Sequence, residues 1–171
     1  MFRSRKPCAF LALICLLSLS LPLAACRNGS MSGHTYVSDL TATELADAVA
    51  PDLSVDFFTA DDAHLSDYVL LPRAVPSLCV RIAVAGDRID EYGILRADGD
   101  PAEWASTVHA YLAASYEQNR AFYDSYIPTE TPKLRDAEVR VLGDYVIWAI
   151  LSEGERAALF DRAEAVLSEK A

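Results

Sequence analysis

Few side chains in this sequence stand at the spacings that chemistry demands. Asp52, Asp56, Asp61, Asp62 and Asp67 form the densest acidic stretch, with no repeat or paired interval that would clamp a cation. Aspartate collects at helix starts because unpaired backbone N–H groups there favour negative charge, and that suffices here. The run Asp98-Gly99-Asp100-Pro101-Ala102-Glu103 has the carboxylates a hard cation takes, but not the glycine and acid intervals of a calcium loop. The same six residues read as a turn followed by a helix cap, so no metal site is expected. His34, His64 and His109 are too scattered for a ligand set, and neither His-x-x-x-His nor Cys-x-x-Cys occurs. There is no Gly-x-Ser-x-Gly elbow and no phosphate-cradling glycine loop. The motifs therefore name no catalytic residue and no cofactor, although serines and acids could still converge in the fold.

Aromatic side chains offer a different chemistry, stacking on rings such as sugars. Tyr111, Tyr116, Phe122, Tyr123 and Tyr126 crowd one helical stretch. A 3.6-residue period assigns Tyr111, Phe122 and Tyr126 to a core stripe, where they need no ligand. Tyr116 and Tyr123 share the flank, seven residues apart, and are the candidate exposed ligand or partner surface.

Cysteine chemistry concentrates at Cys26. Arg3, Arg5 and Lys6 precede an uncharged stretch from Pro7 to Cys26, leucine-rich from Cys8 to Leu23. That is the order of a secretory signal: a basic region, an apolar region, then small residues for a peptidase. Cysteine directly after Leu23-Ala24-Ala25 resembles the lipobox of bacterial lipoproteins. The resemblance implies that residues 1–25 are removed, and that the Cys26 sulfur carries a diacylglyceryl group. Two acyl chains anchor a protein stably where one does so only marginally. An uncleaved membrane span is the competing reading, since about 20 uncharged residues would suffice; Pro22 and the Ala-Ala-Cys triplet argue against it. Cys8 and Cys15 would leave with the signal and Cys26 would be lipidated, so Cys79 would be the one remaining thiol. It sits in the strand-like run Leu78–Val84, where a small thiol behaves as a hydrophobic filler.

Net charge excludes one class of partner. The whole chain carries −10, and loss of the three signal cations would take the remainder to −13. So acidic a domain repels phosphate backbones, and nucleic-acid binding is not expected. Residues 26–171 are one domain's worth of chain. Residues 26–38 read as the lipidated cysteine and a flexible polar tether, with a root-mean-square span of about 20 Å. Residues 39–171 form the domain.

The elements follow from caps, periods and turns. Thr41-Ala42-Thr43-Glu44 has capping-box spacing ahead of Leu45 and Val49, and Pro51 stops that helix. Leu53–Phe58 reads as a short strand, and Thr59–Asp62 as a cap for a short helix towards Tyr68. Leu71–Pro76 should be extended, since each proline pushes its predecessor out of the helical region. Two Gly-Asp pairs, Gly86-Asp87 and Gly143-Asp144, each sit between strand-like runs as tight hairpins require. A long helix follows each hairpin. The first opens on Asp100 as N-cap with Pro101 at its first position and ends before Pro128. The second starts near Gly154 and should bury Leu159, Ala163, Val166 and Leu167.

The expected fold is α+β: two β-hairpin–helix units (ββαββα) after a short N-terminal helix. They would make an antiparallel sheet of four to five strands with both long helices on one face. The stretch 73–88 leaves the strand count open. Tyr145–Leu151 is apolar on both sides and should lie inside the sheet with both faces covered. The N-terminal helix or a partner molecule would supply the second cover, and the face opposite the long helices is the first candidate binding surface.

Three segments carry a resemblance: Asp90-Glu91-Tyr92-Gly93-Ile94-Leu95, Phe122-Tyr123-Asp124-Ser125-Tyr126-Ile127-Pro128, and Gly143-Asp144-Tyr145-Val146. In these, and in the element order from Leu40 to Leu167, the chain resembles the domain-of-unknown-function 4358 family of bacterial lipoproteins. Its link from Arg73 to Arg88 looks longer than that family's. The resemblance implies a membrane-anchored protein and brings no catalytic residues. The expected function is a non-enzymatic binding or accessory module, lipid-anchored on the extracytoplasmic face of the cell membrane, with an envelope protein or glycan as partner. The alternatives are an envelope hydrolase whose site is assembled only by folding, and a structural spacer.

Overall fold

A computed structural model describes residues 35–37, 39–67, 75 and 77–168. The signal, Cys26, most of the tether, and the extended stretch expected at Leu71–Pro76 lie outside them or almost so. The described residues belong to one compact unit, 33–171.

The chain is α+β, with one antiparallel five-stranded sheet and five helices among the described residues. In chain order these are α1 (Ala42–Val49), a 3₁₀ turn (Ala50–Asp52), β1 (Phe57–Thr59), α2 (Asp62–Asp67), β2 (Ser77–Ala83), β3 (Glu91–Arg96), α3 (Pro101–Tyr126), α4 (Thr131–Arg135), β4 (Glu138–Leu142), β5 (Tyr145–Ile150) and α5 (Glu153–Ser168). The strands lie in the order β1-β2-β3-β5-β4. The strand predicted at Leu53–Phe58 overlaps β1 only at Phe57 and Phe58, and β1, which runs on to Thr59, makes the fifth strand.

Local signals act as read. The Thr41 hydroxyl accepts from the Glu44 N–H at 3.2 Å, while the Glu44 carboxylate accepts from the Thr41 N–H at 2.7 Å. The Asp100 carboxylate accepts from the Ala102 N–H at 2.9 Å, and Asp98 accepts from the Trp104 indole at 3.0 Å. Both aspartates of the calcium-like run thus serve the start of α3. Gly143 turns the β4–β5 hairpin with φ 59°, a left-handed conformation open to glycine at little cost. Gly86 does not repeat this. Its φ is not positive, and an ordinary four-residue turn closes instead, with the Arg88 N–H donating to the Ala85 carbonyl at 3.2 Å. The link 84–90 is longer than a two-residue hairpin, as its failure to form a tight turn requires.

The placement of the long helices differs from expectation: α3 and α5 cover opposite faces of the sheet. Tyr145, Ile147 and Ala149 pack with α1 and α5, and Val146, Trp148 and Ile150 pack with α3. Every residue of β5 is buried, so the strand needs apolar cover on both sides, and one helix layer cannot provide it. The interior position of β5, between β3 and β4, agrees with its two-sided apolarity. α1 and α5 together are the second cover, so the bare sheet face expected as a binding surface does not exist. Tyr92 and Tyr145 donate to the Ala46 and Leu40 carbonyls at 3.2 and 2.7 Å, fastening the α1 segment. Cys79, buried among these side chains, is the hydrophobic filler its strand-like setting implied.

The sheet has two ends that matter later. At one, Arg96 pairs with Tyr145, and Tyr36 packs beside Gly143. Val37 donates there to the Leu167 carbonyl at 3.0 Å. At the other end, Glu91 pairs with Ile150. Five strand steps, about 17 Å, separate them.

Candidate functional site

Antiparallel register and the two-residue period put cross-strand partners on one face. Phe58 pairs with Ile82, Ile82 with Glu91, and Glu91 with Ile150, so the last row on the α3 face is Phe58–Ile82–Glu91–Ile150. Along α3, Tyr111, Ser115, Asn119 and Tyr123 recur every four residues and form one stripe above that row. Row and stripe enclose a cavity of about 340 Å³, completed by His64 from α2 and by Arg88 and Ile89 from the 84–90 link.

Glu91 is the one carboxylate among these lining residues. Its Oε1 accepts from the Trp148 indole N–H at 2.8 Å and from the Tyr111 hydroxyl at 3.0 Å. Tyr111 stands edge-on to Trp148, ring centroids 6.3 Å apart. The indole reaches Glu91 because it lies over Gly93, its cross-strand partner, whose missing Cβ leaves the ring its space. Burial pushes the Glu91 carboxyl above the usual carboxylate range, and the two donated hydrogen bonds oppose this without overcoming it. Tyr111 and Tyr123 are pushed up as well, by burial first and then by the Glu91 charge.

A buried ionic cluster holds the link that forms the cavity's rim. Asp90, fully buried, accepts from Arg88 Nε at 2.7 Å and from Lys133 Nζ at 2.8 Å. Lys133 also bridges to Glu130 at 2.8 Å, and Glu130 accepts from the Ile89 N–H at 3.0 Å. The Asp90 Oδ1 has no hydrogen-bond partner among the described residues. α4 thus clamps residues 88–90, directly ahead of Glu91.

The aromatic assignments made from periodicity change places. Phe122 and Tyr126, expected in the core, are 56% and 73% exposed. Tyr116 and Tyr123, expected outside, are half-buried and pack against the α3-side core. α3 is about 39 Å long at 1.5 Å per residue, whereas the strands below span about 20 Å, so its last turns have no sheet beneath them. Its fully buried positions accordingly stop at Leu112. Tyr123 lines the cavity; Tyr116 lies instead beside Arg120, 5.8 Å from its guanidinium carbon. Sequence reasoning missed Glu91 as a site residue. Its one signal is a carboxylate in the β3 row Glu91, Gly93, Leu95, on a face otherwise built to pack.

The raised carboxyl has a consequence for stability. The folded state holds the Glu91 proton over a pH range in which the unfolded chain, with a glutamate near about 4.3, has released it. More protons are then bound folded than unfolded, so stability falls as pH rises through that window and levels off above the folded-state pKa. Glu91→Gln removes the dependence. Urea denaturation from pH 4 to 8 should show wild type losing stability relative to Glu91→Gln as pH rises, by at most about 1.4 kcal/mol per unit. A pH-independent difference would refute the burial effect.

No family model, no curated protein and no solved structure matches this chain. Among the described residues, no helix is long and apolar enough to cross a membrane.

Proposed function

We propose that this chain is a lipid-anchored extracytoplasmic binding module of the cell envelope, and that its ligand site is the cleft over Glu91. The observation that carries the reading is a carboxyl fixed by two donors at the floor of a cavity of about 340 Å³ with aromatic walls. Concave, mostly pre-formed sites with a few convergent polar groups are where small ligands bind. The basic, apolar and small-residue order ahead of Cys26 supports the anchor, as does the resemblance to the lipoprotein family.

The cleft also has the convergent polar groups an envelope hydrolase would need. Covalent acyl transfer by a serine requires its hydroxyl in contact with a base, and Ser115 Oγ bonds to neither His64 nor Glu91. Glycosyl transfer uses a pair of carboxylates, and Glu91 is the one carboxylate in the lining. Binding is therefore the better-supported reading, and a mere spacer would have no use for the cavity.

The anchor is tested by expressing wild type and Cys26→Ala in a bacterium fed an alkyne-tagged fatty acid. Wild type should take up the tag and sediment with membranes, and Cys26→Ala should lose the tag and process poorly. An untagged wild type retaining Met1 would overturn the anchor. The cleft is tested by NMR screening of small polar fragments against the full chain in detergent, with the Trp148 indole N–H as reporter because it donates to Glu91. Fragments that shift it and bind at least tenfold more weakly to Glu91→Gln are expected. No shift with any fragment would overturn the cleft as a ligand site.

A further inference from the structure

Taking the Glu91 cleft as a ligand site, we infer that its ligand is a short saccharide, with one pyranose ring held in the cleft and the next laid on the exposed rings of Phe122 and Tyr126. The polar groups of the cleft come in both hydrogen-bonding senses. Glu91 Oε2 accepts only a longer contact from Tyr111, at 3.2 Å. The Asn119 amide N–H₂ donates to the Ser115 carbonyl at 2.9 Å, which leaves its Oδ1 to accept. Arg88 donates through Nε to Asp90, and its Nη1 and Nη2 groups make no hydrogen bond among the described residues. The Ser115 and Tyr123 hydroxyls make none either, and each can both donate and accept.

A sugar matches such a lining because every one of its hydroxyls donates and accepts at a single oxygen. An amine supplies donors only and a carboxylate acceptors only, so each would leave half of these groups without a partner. Charge does not favour either sign. The lining holds one carboxylate, Glu91, and one guanidinium, Arg88, and His64 Nδ1 is taken up by Asp61 at 2.6 Å. A pyranose also has C–H faces, which pack against Phe58, Tyr111 and the isoleucines of the same cavity.

A second observation lies just outside the cavity. Phe122 and Tyr126 stand in solvent with their rings 4.8 Å apart and tilted by 33°. They follow Asn119 by three and seven residues, which puts both on the side of α3 that borders the cleft. The Phe122 ring also meets that of Tyr123, centroids 5.5 Å apart, so the exposed ledge and the cleft are continuous. A ligand of one unit, such as an amino acid or a nucleoside, leaves that ledge unused. A saccharide repeats the same unit, polar at its rim and apolar on its face, and occupies both.

The experiment is an NMR titration of the full chain in dodecylphosphocholine, a detergent without a sugar headgroup. The probes are glucose, N-acetylglucosamine and their β-1,4-linked disaccharides, against propylamine, propionate and adenosine as contrasts. The Trp148 indole N–H reports occupancy of the cleft, because it donates to Glu91. At least one monosaccharide should shift it saturably, at least tenfold tighter than any contrast and at least fivefold weakened by Asn119→Ala. Its disaccharide should bind at least threefold tighter still, an advantage that the exposed pair Phe122→Ala/Tyr126→Ala abolishes. Circular dichroism of both variants separates lost binding from lost fold. If fragments bind the cleft but no sugar does, or a contrast binds as tightly as the best sugar, the saccharide assignment is overturned and the ligand site stands. Sugar binding indifferent to Asn119→Ala, or a disaccharide advantage that survives loss of both rings, overturns the assignment too. A reporter that stays silent with sugars, contrasts and fragments alike overturns both.

Discussion

Gly93→Ala should destabilise the protein by about 4 kcal/mol, the scale of losing a buried aromatic side chain from a core. The new Cβ would land within the indole ring of Trp148, against its Cζ2, Cη2 and Cε2 atoms, and Trp148 is fully buried. The far end of a flexible chain could swing aside, but a ring sealed between β3, β5 and α3 has nowhere to go. Either β3 and β5 separate or the indole leaves, and in both cases its N–H is lost to Glu91. Urea denaturation followed by tryptophan fluorescence measures the loss. A double-mutant cycle with Trp148→Ala adds a sharper test, since removing the ring removes the clash. The two changes together should cost at least 1.5 kcal/mol less than their sum. Additive behaviour, or a Gly93→Ala variant within about 1 kcal/mol of wild type, would contradict this packing.

Lys133→Met should cost about 3 kcal/mol, as breaking one arm of a buried ion pair does when its partner stays charged and dry. Asp90 is fully buried and already has one oxygen without a partner, so the loss of Lys133 leaves it with Arg88 alone, whose side chain is 39% exposed. Glu130 loses its ion-pair partner in the same stroke and keeps only the hydrogen bond from the Ile89 N–H. Adding Asp90→Asn to Lys133→Met should recover part of the stability, because a neutral amide tolerates burial better than an unpaired carboxylate. The single variant should also loosen residues 88–90 and increase amide exchange at Ile89, whose N–H donates to Glu130. Wild-type stability in Lys133→Met, or no recovery in the double variant, would place the clamp elsewhere.

The legible parts of the fold were those decided by neighbours along the chain. Thr41 and Glu44, Asp100 and Pro101, and Gly143 each act within four residues, so caps and a turn could be read directly. β5 also announced itself, because apolar residues at successive positions fit only an interior strand. The sidedness of the helices was less accessible: it depends on which face of β5 each helix reaches, a contact between distant segments. Phe122 and Tyr126 kept a helical period past the point where the sheet ends, and a period says nothing about what lies beneath it. The cleft was the least legible feature. Glu91, Tyr111, Asn119, Phe58 and Ile150 meet only through register and a four-residue stripe, and no local motif joins them. Glu91 takes its chemistry from Trp148, which lies across the sheet.

The bond from Val37 to Leu167 bears on how the molecule can be handled. It draws the incoming and outgoing chain to the end of the sheet where β4 turns into β5, about 17 Å of strand away from Glu91. A reporter fused after Ser168, or a biotin used to fix the protein to a sensor chip, would therefore attach at the end of the sheet away from the cleft. The same geometry means that chain arriving at residue 35 joins the domain at the opposite end of the sheet from Glu91.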